Sequence, residues 1–284
     1  VRTETITKGS DESVGERERK PAAVSLRDAR LAFGERVLWS GLDLDIAPGE
    51  FVAVLGPNGS GKTSLLRVLL GMQPLSSGTA TVAGVPAGQG NRRVGYIPQR
   101  QELDSTVALR GRDLVGLGLD GHRWGFGLRG RRTRRQLVDR ALYEVEATDY
   151  ANRGIGMLSG GEQQRLRVAQ SLIGDPDVLL CDEPLLSLDL AHQRAVSDLI
   201  DKRRRSADTA VLFVTHEINP VLPLVDRVLY LVDGRFRIGA PEEVMTSETL
   251  TELYRTEIEV LRVRDQIIVV GAAGQDHPHH PEER

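Results

Sequence analysis

The chain has 284 residues, 40% hydrophobic and 27% charged, with a net charge of −3, which suits one large globular domain or two small ones and gives no overall pull toward nucleic acid or an anionic membrane. One cysteine, Cys181, excludes an internal disulfide and suits a reducing compartment. No apolar run approaches the roughly 20 residues of a membrane-spanning helix, and the polar opening VRTETITKGSDESVGERERK is not a secretion signal, so the expectation is a chain that stays inside the cell.

Residues 1 to about 21 lack apolar periodicity and predict a mobile tail. VSLRDARLAF and the region around LDLDI alternate, as strands of an antiparallel sheet do. FVAVL (51–55) is a continuous apolar run ending at Gly56, the pattern of a buried α/β strand. KTSLLRVLL (62–70) predicts a helix ended by Gly71. Between Gln99 and Met157 the sequence is Arg- and Gly-rich, then helical over QLVDRALYEVEA, with no convincing buried strand. We read a helical insertion over about 100–173. VLLC (178–181) and AVLFVT (210–215) predict two further buried strands separated by helix, hence a parallel-sheet core. DRVLYLVDGRFRIG predicts a hairpin around Asp233–Gly234, PEEVMTSETLTELY two short helices, and EVLRVRDQIIVVG a last strand pair. The expected organisation is one domain over 22–240, its extension over 241–271, and a polar tail over 272–284. No internal repeat is visible, so each motif occurs once per chain.

GPNGSGKT (56–63) fits G-x-x-x-x-G-K-[ST] between a buried strand and a helix. Its glycines let successive N–H groups turn inward as a nest for phosphate oxygens, and the following helix adds its positive end. Gly56, Pro57, Asn58, Gly59, Ser60, Gly61, Lys62, Thr63 and Ser64 are therefore the candidate phosphate-binding residues, with Lys62 reaching the outer phosphates and Thr63 ligating Mg²⁺. CDEP (181–184) closes a buried strand. Asp182 at that edge can hold Mg²⁺, directly or through water, and Glu183 can act as general base on the attacking water.

LSGGEQQR (158–165) narrows the reading. Ser159 can cap a helix with Glu162 three residues on, and Gly160 and Gly161 open its N–H groups to a ligand, a second anion-ready helix start. The string, with Leu158, resembles the signature motif of the ABC ATPase family. Phe33, 23 residues before Gly56, resembles the aromatic that stacks on adenine; the alternative is a strand residue of the core. Gln99 in VGYIPQR resembles the glutamine that senses Mg²⁺ and the γ-phosphate. Ser187 to Asp189 (SLD) resembles the loop that crosses a dimer interface. His216 in FVTHE, 33 residues after Glu183, resembles the switch histidine. The resemblance spans residues 23 to about 240. It implies an α/β P-loop ABC ATPase core with an antiparallel β subdomain and an inserted α-helical subdomain. It also implies ATP and Mg²⁺ as cofactors and a head-to-tail homodimer in which Leu158, Ser159, Gly160, Gly161, Glu162, Ser187 and Asp189 act in trans. Catalytic roles fall to Glu183, His216 and Gln99, and Mg²⁺ to Thr63, Gln99 and Asp182. Small departures are KTS for the more usual KST, Cys181 before Asp182, and AQSL for ARAL.

HEINPVLPLVDRVLYLVDG (216–234) and TSETLTELYRTEIEVLRVRDQIIVVG (246–271) resemble ATPase subunits of bacterial zinc and manganese importers, and LGLDGHRWGFGLRGRRTRR their actinobacterial branch. That implies a membrane permease, a solute-binding protein outside the membrane, a place on its cytoplasmic face, and no nucleic-acid partner. Another cargo (siderophore, haem or an exported compound) stays open, as does a soluble ABC ATPase, although one cassette without a heptad run argues against the latter. The arginines Arg123, Arg129, Arg131, Arg132, Arg134 and Arg135 read either as a solvated helix face or as a contact with lipid or permease. His277, His279 and His280 offer imidazoles for Zn²⁺ or are an incidental tail.

Overall fold

The computed structural model describes residues 21–99, 109–120 and 131–271. Arg123, Arg129, the histidines of the tail and residues 1–20 lie outside the described residues. Strands β1 (Val24–Phe33) and β2 (Arg36–Ile46) pair antiparallel. Their alternating apolar residues, Leu26, Leu31, Leu42 and Leu44 among them, turn to one buried face. Strands β4 (Ser77–Val82) and β5 (Val85–Pro86) extend this sheet in the order β2-β1-β4-β5, two strands beyond the sequence expectation.

The second sheet has six strands, ordered β10-β9-β3-β8-β7-β6. Its middle is β3 (Phe51–Leu55), β8 (Ala210–Val214) and β7 (Val178–Asp182), buried at every residue and parallel to one another, as their unbroken apolar runs require. β6 (Val94–Ile97) adds parallel at one edge. At the other, β9 (Arg227–Val232) runs parallel to β3 and turns into antiparallel β10 (Arg235–Gly239). Asp233 and Gly234 make that turn with φ of 42° and 81°, the two left-handed residues that a twist-matched hairpin needs.

Alternation along the buried strands feeds both faces of this sheet. Val52, Val54, Leu180 and Leu212 pack on helix α1 (Lys62–Leu69), which is held between the two sheets. Phe51, Leu179, Cys181 and Phe213 face the helices α2 (Gly111–Asp120), α3 (Arg131–Glu144), α4 (Gly160–Leu172) and α5 (Leu190–Ala207). Ala53, Leu55, Val228 and Tyr230 receive the C-terminal part: α6 (Pro241–Val244), α7 (Ser247–Tyr254) and the ribbon β11 (Ile258–Val263) and β12 (Gln266–Gly271). Arg131 and Arg135 are on the exposed side of α3, Arg135 in an ion pair with Asp139 of 3.8 Å.

Candidate functional site

Four adjacent parallel strands end at the same edge, and each delivers a chemical group just past its last residue: Gly56 after β3, His216 after β8, Glu183 after β7 and Gln99 after β6. This is where an α/β sheet opens a crevice to a ligand. A cleft of about 740 Å³ lies there, lined among others by Gly56, Pro57, Asn58, Gln99, Glu183, His216, Asn219, Tyr230 and Tyr254.

The loop after β3 is shaped by three left-handed glycines, Gly56, Gly59 and Gly61, with φ of 135°, 79° and 98°. A Cβ on Gly56 would fall 2.0 Å from the Leu231 carbonyl, and one on Gly61 2.9 Å from the Trp39 indole Nε1. The loop is thus pressed between β9 and β2. Arg36 ties it from outside, donating to the Gly59 carbonyl at 3.1 Å. Lys62, buried at the first turn of α1, curls its ammonium back to the carbonyls of Gly56 (2.7 Å) and Pro57 (3.0 Å). Burial lowers the Lys62 pKa, and the nearby Glu183 and Asp182 carboxylates oppose that. Ser60 Oγ is buried without a hydrogen-bond partner among the described residues. Ser64 is half-buried one residue beyond Thr63, and Asn58 and Gly59 are exposed.

Thr63 donates to Asp182 Oδ1 at 3.1 Å. Asp182 is almost fully buried; desolvation raises its pKa, while hydrogen bonds from Thr63 and Tyr96 oppose the shift. Tyr96 is itself pushed up to about 12, chiefly by burial. Glu183 takes a left-handed φ of 47°, an uncommon conformation for a non-glycine residue. Its N–H is held by the Val214 carbonyl at 2.9 Å, and its Oε2 lies 3.4 Å from His216 Nδ1. Thr215 Oγ1 folds the segment around His216, donating to the Glu217 carbonyl and accepting the Glu217 N–H.

Of the phosphate loop only Gly56, Pro57 and Asn58 line the cleft; Lys62, Thr63 and Asp182 lie beside it, and Phe33, Ser159, Ser187 and Asp189 line no part of it. Phe33 is half-exposed at the end of β1. Ser159 caps α4 in a full capping box: its Oγ accepts the Glu162 N–H at 3.3 Å and its N–H donates to Glu162 Oε2 at 2.7 Å. Leu158 is buried before it, Gly160 begins the helix, and Gly161 follows in the first turn. Ser187 is exposed with φ of 61°, and Asp189 caps α5, accepting the His192 N–H at 2.9 Å. Sequence reasoning missed Trp39, Arg36 and Tyr96, whose contacts join strands far apart in the chain. It also missed His192 and Asn219, which stand in no motif, although both follow one within three residues.

The site fits a nucleotide triphosphate and a hard cation. The loop has one conformation that glycine alone allows, an orphaned Ser60 hydroxyl, an ammonium resting on its own carbonyls, and a carboxylate and hydroxyl as oxygen donors side by side. Fold and site therefore define a P-loop nucleotide-binding protein. A model of the ABC transporter family matches residues 39–186. The chain is 31% identical over 248 residues to the manganese transport system ATP-binding protein MntB of Bacillus subtilis (strain 168), covering 87% of this chain and 98% of that protein. A solved structure described as an inward-facing metal-chelate type ABC transporter is 28% identical with a TM-score of 0.75, covering 89% of this chain and 98% of that one. CbiO1 of Clostridium perfringens, part of the ABC transporter complex cbiONQ, shares the fold at 22% identity and a TM-score of 0.69, over 82% and 94%. The chain belongs to the ABC transporter family, and it is an ATPase subunit of that family.

Proposed function

We propose that this ATPase powers import of a divalent transition metal, manganese or zinc, through a separate membrane permease. It works as a homodimer on the cytoplasmic face, with a solute-binding protein on the other side of the membrane. No helix among the described residues is long and apolar enough to cross a membrane. The cargo reading is supported by likeness to a manganese transport ATP-binding protein along almost the whole of both chains.

The observation that carries the motor reading is that one chain holds two anion-ready surfaces, the Lys62 loop and the Ser159 helix start, and only the first reaches the cleft, through Gly56, Pro57 and Asn58. A second copy, head to tail, brings its Leu158, Ser159, Gly160, Gly161 and Glu162, with Ser187 and Asp189, over the nucleotide on the first. Phe33 takes the adenine, and the loop from Gly56 to Ser64 takes the phosphates. The Lys62 ammonium exchanges the carbonyls of Gly56 and Pro57 for phosphate oxygens. Thr63, Asp182 and Gln99 hold Mg²⁺, which neutralises phosphate charge when bound. Glu183 accepts the proton of the attacking water as its oxygen bonds the γ-phosphorus and the bond to the β-phosphate oxygen breaks. His216, beside Glu183, contacts the γ-phosphate and reports its presence. Closure is driven by contacts across the interface, and hydrolysis removes them.

The test is light scattering on Glu183→Gln with and without ATP–Mg²⁺. Hydrolysis is blocked, so an ATP-dependent shift from monomer to dimer is expected. A variant that binds ATP and stays monomeric would overturn the use of Ser159 in trans by the isolated subunit. For the cargo, manganese or zinc uptake in cells lacking this chain should fall and return with the wild-type chain but not with Glu183→Gln; uptake independent of the chain refutes the assignment.

A further inference from the structure

Gly161 of the signature segment leaves no room for a side chain beside its neighbour. A Cβ there would lie 2.0 Å from Cδ2 and 2.6 Å from Nε2 of His192, a residue of the next helix. Gly161 has no left-handed φ, so glycine is needed here for closeness of approach, not for backbone freedom. The His192 imidazole is fixed from its other edge. Its Nδ1 is 2.7 Å from Asp189 Oδ2, while Asp189 Oδ1 accepts the His192 N–H at 2.9 Å. These hydrogen bonds from His192 hold the Asp189 carboxyl below its ordinary range. Asp189 ends the SLD loop, and Gly161 stands two residues after Ser159. One imidazole thus spans the two elements that the proposed dimer presents to the nucleotide of the other copy.

We infer that His192 is a positioning residue for ATP hydrolysis, joining the Asp189 loop and the Ser159 helix start into one rigid piece. Two separate elements docking on one nucleotide would each lose orientational freedom on closure; bolted together they lose it once. The second glycine of LSGGEQQR then serves the imidazole of its own chain, and the nucleotide of the partner meets a surface already set. This rests on the trans reading above.

The experiment uses the full chain in the Glu183→Gln background, with His192→Ala, His192→Gln, Gly161→Ala and the Gly161→Ala/His192→Ala pair. Thermal midpoints read the seat itself. Gly161→Ala is expected to lower the midpoint, because its methyl has no place beside the ring. The double variant should recover most of that loss, because the methyl then fills the space the ring leaves. No recovery overturns the seat. ATP-dependent pairing reads the role. His192→Ala should raise the ATP concentration for half-maximal pairing about tenfold, and His192→Gln, which can still donate to Asp189, should regain most of it. Pairing of His192→Ala at the parent's ATP concentration overturns the positioning role. A Glu183→Gln parent that never pairs refutes the trans reading and with it the role, and the thermal cycle still decides whether Gly161 is seated on His192.

Discussion

Asn219 allows a quantitative test of how the C-terminal ribbon is held to the chemistry. Its side chain makes a two-bond clamp on one residue of β12: Nδ2 donates to the Ile267 carbonyl at 2.9 Å, and Oδ1 accepts the Ile267 N–H at 2.8 Å. Asn219 follows His216 by three residues, so the clamp ties the ribbon to the segment that leaves β8. Asn219→Ala removes both bonds, at about 1 kcal/mol each, or about 2 kcal/mol. Ile267 is only 5% exposed, and the ribbon keeps further anchors, with the Ile258 N–H bonded to Thr251 Oγ1 and the Val260 N–H to Ser247 Oγ. The loss should therefore be local. Hydrogen–deuterium exchange over 266–271 should accelerate about 30-fold, the equivalent of about 2 kcal/mol, while 210–214 in the central strand stays protected. Asn219→Asp keeps the acceptor but sets a carboxylate oxygen against the Ile267 carbonyl, so an effect at least as large as that of Ala is expected. Unchanged exchange in β12, or acceleration shared equally by the central strand, would refute the clamp.

Asp182→Asn should abolish ATP hydrolysis yet leave the nucleotide-free protein at least as stable as the parent. Burial raises the Asp182 pKa above its unfolded value, so folding binds a proton there and stability falls as pH rises from the unfolded pKa through the folded one. At neutral pH the buried charge opposes folding, and its removal in calorimetry should not lower the thermal midpoint. Gly56→Ala should destabilise by about 3 kcal/mol, since a Cβ meets the Leu231 carbonyl at 2.0 Å; a midpoint within about 2 °C of the parent refutes that packing. Cys181, buried in β7 with its pKa raised by desolvation, should resist a thiol reagent in native protein and react fully on unfolding; rapid native labelling would contradict the strand's burial.

Much of the sheet was legible because long apolar runs carry one meaning. FVAVL, VLLC and AVLFV have enough branched and apolar residues to be buried on both faces, and all three lie where expected. β4 and β6 were not legible. SGTATV has one buried residue in six. VGYI is four residues long and contains Gly95, whose small size matters only once α4 is seen to bring the Ser171 carbonyl within 2.5 Å of a Cβ. The phosphate loop was legible as a string, but its floor was not: nothing in LWSG says that Trp39 underlies Gly61. A motif records local geometry, whereas Trp39, His192 and Asn219 act through contacts that exist only after strands and helices have packed.

The four groups at the sheet edge stand in the spatial order Gly56, His216, Glu183, Gln99, because the strand order is β3-β8-β7-β6. Neighbouring strands are spaced about 4.8 Å apart by their hydrogen bonds, so the sheet acts as a ruler whose graduations do not depend on what joins them. The crossover from β6 to β7 carries α2, α3 and α4, and its part before Leu158 can lengthen, shorten or change charge without moving Glu183 relative to Gln99. One set of distances at the sheet edge can thus be kept through wide divergence of the segments that join the strands, while the graduations stay put.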